Sequence, residues 1–222
     1  MVVVPSLSAS ARAVGAAPVN LAGYWERVPS GAPIGGELHV PTVVCGSTPG
    51  GALLAGIALW AAEGSARVDI GILARCEGRR AVYAPVVDID GQRSTLRFPV
   101  LPRDRVVVTF SQGGNGSRVI MRDHGTKWHI DELHNEQPID HSGAGVFADG
   151  CTAKGCAPIP PFSTFHFANV YINSGTIVAA TRSSATARAG AVEAIVGPLY
   201  GPVPTHFAAK WRASCVPVAG RC

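Results

Sequence analysis

The sequence predicts an all-β protein, an antiparallel sandwich of two packed sheets, and three observations carry that reading. Beyond the N-terminal tail, apolar and polar side chains alternate with period two, the spacing that puts every second residue on one face of a half-buried strand. The runs are short, and 26 Gly and 17 Pro in 222 residues suit tight turns better than long helices. Strand-like runs also follow one another without intervening helical patterns, which argues for a sandwich over a βαβ fold.

Taken in order, Gly36–Val40 ends at Pro41, and Ala52–Leu59 follows Pro49-Gly50-Gly51. Arg67–Ala74 places Val68, Ile70 and Ile72 on one face and Arg67 and Asp69 on the other. Ala81–Ile89 stops at Asp90-Gly91, Ser94–Val100 precedes Pro102, and Arg105–Ser111 runs into Gln112–Gly116. Arg118–Arg122 leads into Asp123–Thr126, and this segment and Gln112–Gly116 both read as hairpin turns because Gly and Asn accept positive backbone angles. Phe162–Ile172 follows Pro160-Pro161, Ala191–Val196 ends at Gly197-Pro198, and His206–Arg212 completes the set. Arg182–Gly190, rich in Ser, Ala and Thr, is expected to form a short helix or a mobile loop. Residues 1–19 are read as a tail or signal remnant and residues 20–222 as one sandwich domain, a size at which such folds commonly remain undivided.

Six cysteines, Cys45, Cys76, Cys151, Cys156, Cys215 and Cys222, form an even set without Cys-x-x-Cys zinc spacing, so disulfides are expected. Of the fifteen possible pairings, Cys151 with Cys156 and Cys215 with Cys222 close short loops at little entropic cost. Cys45 with Cys76 then ties two distant strands. Disulfides imply an oxidising compartment and hence a secreted protein. The tail supports this through Val14-Gly15-Ala16-Ala17, which is like a signal-peptidase site, although it lacks a positive n-region. No stretch is long enough for a transmembrane helix. The net charge of +4 is spread over scattered arginines and not gathered into a basic run, which argues against nucleic acid as a partner. Asp123–His141 is the exception in charge: five acids against Lys127 give −5 + 1 = −4, and the segment is expected to be an exposed insertion or long hairpin loop.

Several segments, in order, resemble the glutamic peptidases (eqolisins). Asn20-Leu21-Ala22-Gly23-Tyr24-Trp25 is similar to that family's opening Asn-Trp-Ala-Gly strand, and Gly36-Glu37-Leu38-His39-Val40-Pro41 to its Gly-x-(aromatic or apolar)-x-Val-Pro stretch. Ala55-Gly56-Ile57 resembles the Trp-Val-Gly-Ile strand, and Phe167–Asn173 the late Phe-Gly-x-Val-x-Phe-x-Asn strand. The resemblance spans roughly Asn20 to Trp211 and implies a concanavalin-like sandwich. Anchored on Gly71, it sets Asp69 at the family's catalytic glutamine; laid on Ala-Glu-Trp-Ile-Val-Glu, Ser142–Asp149 sets Asp149 at the catalytic glutamate. A plainer reading makes Asp69 an exposed carboxylate paired with Arg67 and Asp149 a turn residue before Gly150.

The substitutions matter chemically. In the family the glutamate is a general base on water, and the glutamine amide donates a hydrogen bond to the developing oxyanion. An ionised aspartate cannot donate, and its shorter side chain sits back by about 1.5 Å, one carbon–carbon bond. Two neighbouring carboxylates sharing a proton in acid would restore a donor. The groove residues implied are Arg67, Tyr83 and Trp60, with Tyr83 the remnant of an aromatic-rich strand. Two functions follow: a non-catalytic binder of a peptide, glycan or partner protein in a concave groove, or a divergent acid endopeptidase using Asp69 and Asp149. No cofactor or metal is expected, since His124, His129, His134 and His141 fit no helix-borne His-Glu-x-x-His pattern. No Gly-x-Ser-x-Gly elbow or phosphate-cradling loop occurs either.

Overall fold

The computed structural model describes residues 21–48, 50–60, 67–89, 92–114, 116–125, 128–134, 143–149, 151–152, 155–156, 159–173, 175–177, 181–183, 185–186 and 192–215. The expected tail, 1–19, lies outside them. In chain order the strands are β1 (Leu21–Arg27), β2 (Ile34–His39), β3 (Ala52–Trp60), β4 (Arg67–Glu77), β5 (Arg80–Ile89) and β6 (Gln92–Thr95). Then follow β7 (Arg105–Gly113), β8 (Gly116–Asp123), β9 (His129–His134), β10 (Gly143–Asp149), β11 (Cys151–Thr152) and β12 (Gly155–Cys156). The last six are β13 (Phe165–Ile172), β14 (Gly175–Thr176), β15 (Thr181–Ser183), β16 (Ala185–Thr186), β17 (Val192–Val196) and β18 (Phe207–Cys215).

Two antiparallel sheets contain most of these strands. The seven-stranded sheet runs β15-β1-β10-β3-β4-β5-β6, and the nine-stranded sheet runs β16-β17-β18-β13-β2-β7-β8-β9 with β14 on β13. Between them lies one apolar cluster: Tyr24, Ile57, Leu59, Ile70 and Val87 come from the first sheet, and Leu38, Phe110, Phe165, Phe167 and Phe207 from the second. Each fully buried Phe or Leu contributes roughly 1.5–3 kcal/mol. Tyr24 bridges the layers, its ring 5.0 Å from that of Phe207 and its hydroxyl donating to the Gly197 carbonyl at 3.0 Å. Cys45 and Cys76 are disulfide-bonded, tying the segment after β2 to β4. Cys151 and Cys156 are register partners in the β11–β12 hairpin, while Cys222 lies outside the described residues.

The expected strands are present, with four differences. The run Ser94–Val100 keeps strand pairing at Ser94 and Thr95 and one further bond from Leu96 N–H to the Pro85 carbonyl at 3.0 Å; beyond it Pro99 has no N–H for a ladder, and its carbonyl accepts from Trp128 Nε1 at 2.9 Å. Arg182–Gly190 holds no helix among its described residues, since β15 and β16 fall there and pair with β1 and β17. Asp123–His141 is no exposed loop throughout: Asp123, Trp128 and Ile130 are buried, and His129–His134 is the edge strand paired with β8. Residues 126–127 and 135–141 of that segment lie outside the described residues. Finally, Asp69 is not exposed; it is 1% accessible, on the outer face of the seven-stranded sheet.

Candidate functional site

Strand register sets which side chains share the site, because in antiparallel sheets directly paired residues share a face. Trp25 pairs with Gly145, Gly145 with Ala58, Ala58 with Asp69, Asp69 with Asp88, and Asp88 with Arg93. One row therefore crosses six strands of the seven-stranded sheet. The alternating residues Tyr24, Val146, Ile57, Ile70 and Val87 belong to the core between the sheets, so the row lies on the outer face. Overlapping it at Ala58, a second buried apolar cluster is formed by Leu54, Ala58, Leu73, Val86 and Phe147, with Trp25 and Trp60 packed against it.

Glycine shapes this face. A Cβ on Gly56 would collide with the Ile70 carbonyl oxygen, and one on Gly71 with that of Ala55, so these register partners admit no side chain. Gly143 and Gly145 serve a different purpose. A Cβ on Gly143 would strike the Trp60 indole nitrogen, and one on Gly145 would lie 3.1 Å from Trp60 Cη2. Trp60 thus lies over β10, with its ring 6.3 Å from that of Trp25.

The charged part of the row sits on β4, β5 and β6. Asp88 is 3% accessible, and Arg93 Nη2 lies 2.9 Å from its Oδ2. That contact is an ion pair by distance, without hydrogen-bond geometry: Asp88 Oδ1, Arg93 Nε and Arg93 Nη2 are buried with no hydrogen-bond partner among the described residues. Trp25 Nε1, at the far end of the row, is in the same condition. Buried polar groups left so are rare, because each costs the desolvation of a lost hydrogen bond.

The two aspartates singled out from the sequence occupy the same face of the sheet at different heights. Asp149 pairs with Leu54, which pairs with Leu73, whereas the β10 residue in line with Asp69 is Gly145. Four residues along β10 and two strand spacings separate the positions, about 13 Å by 10 Å, or roughly 16 Å between Cα atoms. A base and donor acting on one water need contacts of about 3 Å each. The description of Asp149 and of Arg67 stops at the backbone, Arg67 being the register partner of Trp60. Trp60 lies on the outer face, whereas Tyr83 belongs to the inner one: it packs against the main core, and its hydroxyl accepts from Val43 N–H at 2.8 Å. Burial pushes its phenol above the ordinary value.

Asp88 and Arg93 were not singled out from the sequence, yet a signal for them existed. Asp90-Gly91 is a two-residue hairpin signal, and counting back from Ile89 opposite Gln92 puts Asp88 opposite Arg93. The turn at Gly78 and Arg79 does the same for Asp69 and Asp88, from Glu77 opposite Arg80.

This arrangement defines an antiparallel β-sandwich with the glutamic-peptidase fold. The chain aligns with the crystal structure of scytalido-glutamic peptidase bound to a transition state analog inhibitor at TM-score 0.72 and 13% identity, covering 87% of this chain and 98% of that one. It aligns with SCP-B, a member of the eqolisin family of peptidases in complex with the tripeptide Ala-Ile-His, at TM-score 0.68 and 12% identity over the same shares. No protein-family model and no curated protein matches the sequence. At this identity the likeness establishes the fold.

Proposed function

We propose that this protein is a secreted, non-catalytic binder that takes an extended peptide segment across the outer face of the seven-stranded sheet. One observation carries the reading. The row from Trp25 to Arg93 offers buried donors at Trp25 Nε1 and Arg93 Nε and a buried acceptor at Asp88 Oδ1, while the position in line with Asp69 is a glycine covered by Trp60. A peptide main chain supplies both complements, C=O for the donors and N–H for the acceptor. Secretion is supported by the Cys45–Cys76 disulfide and accords with the absence, among described residues, of a helix long and apolar enough to cross a membrane. A divergent acid endopeptidase using Asp69 and Asp149 is the second reading, favoured by the likeness to peptidase structures. The register distance between the two aspartates weighs against it.

The test is binding of a fluorescein-labelled tryptic digest of carboxymethylated casein, followed by polarisation and fractionated to identify the retained peptides. Saturable binding, weakened at least about tenfold in Arg93→Ala and Asp88→Asn, the scale of a lost buried hydrogen bond or two, is expected. Binding that is indifferent to both substitutions would remove the site from this face.

A further inference from the structure

The opposite side of the molecule carries a second cluster of chemistry-bearing side chains. On the nine-stranded sheet, Phe167 pairs with Leu38 and Ala168 with Glu37; one step further along the same register sets His166 opposite His39. Phe165, Phe167 and Leu38 enter the core, so both histidines, with Glu37, lie on the outer face. Their rings stand 6.2 Å apart at 67°.

We propose that His39 and His166 form a two-histidine chelate for a borderline-soft divalent cation such as Zn²⁺ or Cu²⁺. Imidazole nitrogens bind Zn²⁺ at about 2.0–2.1 Å, which puts each ring centre roughly 3.2 Å from the metal and a tetrahedral pair of ring centres about 5 Å apart. The observed spacing is about 1 Å wider than this, a gap that side-chain rotation closes. Both residues face solvent, where a small adjustment that keeps their outer partners is open to them: the His39 side chain is 42% exposed and His166 is exposed.

What distinguishes this pair from solvated surface histidines is its outer partners. Metal-binding imidazoles commonly use one nitrogen for the ion and the other for a carboxylate or another oxygen that orients the ring. His39 Nε2 lies 3.4 Å from Glu37 Oε1, leaving Nδ1 for the ion. Glu37 is itself 7% accessible and held by Arg105 through Nε at 2.8 Å and Nη2 at 2.7 Å. His166 Nδ1 is 3.0 Å from the Tyr200 hydroxyl, leaving Nε2. Tyr200 is fixed in turn by its β-bridge to His206 and by the His206 ring at 5.7 Å. Because Arg105 is paired with Glu37, its charge opposes an incoming cation less than a free guanidinium would. Among the described residues no three His, Cys, Asp or Glu side chains converge on one metal position. The chelate is therefore open, with its remaining positions left to water or to a donor atom from another molecule.

Titrating the intact protein with ZnCl₂ by calorimetry, in a buffer that does not chelate zinc, tests this, with Cu²⁺ electron paramagnetic resonance as the structural readout. One site with a two-nitrogen copper signal is expected. His39→Ala and His166→Ala should each weaken zinc at least tenfold, and Tyr200→Phe by about tenfold through the loss of ring orientation. Unchanged near-ultraviolet circular dichroism would show that the variants fold. If the double variant His39→Ala/His166→Ala binds zinc as the parent does, the ion sits elsewhere, for instance on His124, His129 or His134, and the proposal is overturned. A copper spectrum with fewer than two nitrogens would overturn it as well.

Discussion

Replacing Gly56 by alanine tests the close approach of strands beneath the outer-face row. The new Cβ would overlap the Ile70 carbonyl oxygen and lie 2.7 Å from Gly71 Cα, so relief must come from backbone and not from a flexible side chain. Overpacking of this kind costs roughly 1–3 kcal/mol, and spreading β3 from β4 weakens at least one ladder hydrogen bond, worth about 1 kcal/mol. Against this, alanine restricts the unfolded chain and returns about 0.4–1 kcal/mol. The net loss should be near 2–3 kcal/mol. Gly31→Ala is the control, because Gly31 has φ 84° and nothing within 4 Å of its missing Cβ; only the left-handed penalty of about 1–2 kcal/mol applies, offset in the same way. Urea denaturation of both variants at pH 7 gives the comparison. Gly56→Ala/Gly71→Ala should cost less than the sum of its single changes, since one separation of the strands accommodates both. A Gly56→Ala variant no less stable than Gly31→Ala would show that β3 and β4 do not approach too closely for a side chain there.

Other expectations can be checked in the same denaturation experiments. Replacing Cys45 and Cys76 together by alanine opens a loop spanning 31 residues of sequence and should cost roughly 3–4 kcal/mol in the chain-entropy description; a loss below about 1 kcal/mol would contradict that description. Tyr24→Phe removes the hydroxyl that reaches Gly197 and should cost about 1 kcal/mol with an unchanged denaturant slope. Burial raises the Asp104 carboxyl above its ordinary value of 3.8, the Leu101 N–H bond pulls it down, and the Asp123 charge adds to the rise. The folded state therefore holds this proton more tightly than the unfolded chain, and stability falls as pH rises from the ordinary value through the folded one. Asp104→Asn, which keeps an acceptor for Leu101, should be the more stable protein at pH 7 by less than about 1 kcal/mol, since the group is part-exposed. The difference should vanish below about pH 3; a constant difference from pH 3 to 7 would show that charge is not its cause.

The fold was legible where pattern and punctuation agreed. Ala52–Leu59, Arg105–Ser111 and Arg118–Arg122 lie within β3, β7 and β8, because each was an apolar run closed by Gly, Asn or Asp. Residues 129–134 were missed as a strand because their acids and histidines hid the alternation: the charges are carried on an edge, where Arg118 pairs with Asp131 through two contacts of 2.8 and 2.7 Å. Leu96–Val100 looked like strand through its apolar content, but proline and the stacking of Phe98 on Trp128 decided otherwise. In the candidate site, Asp69 was found through one glycine anchor, whereas its neighbours depended on cross-strand register. Asp88 and Arg93 could be reached only by counting through two hairpins, and Gly145 only through the non-local pairing of β10 with β3.

The outer face of the seven-stranded sheet is proposed to bind peptide without cutting it. The most direct test is to incubate purified protein with reduced, carboxymethylated casein from pH 2 to 8 and count new peptide termini by mass spectrometry, beside Asp69→Asn and Asp149→Asn. No new termini above the protein-free control are expected at any pH, for the parent or for either variant. Cleavage by the parent that disappears in Asp69→Asn and in Asp149→Asn would contradict this and establish an aspartate-dependent peptidase.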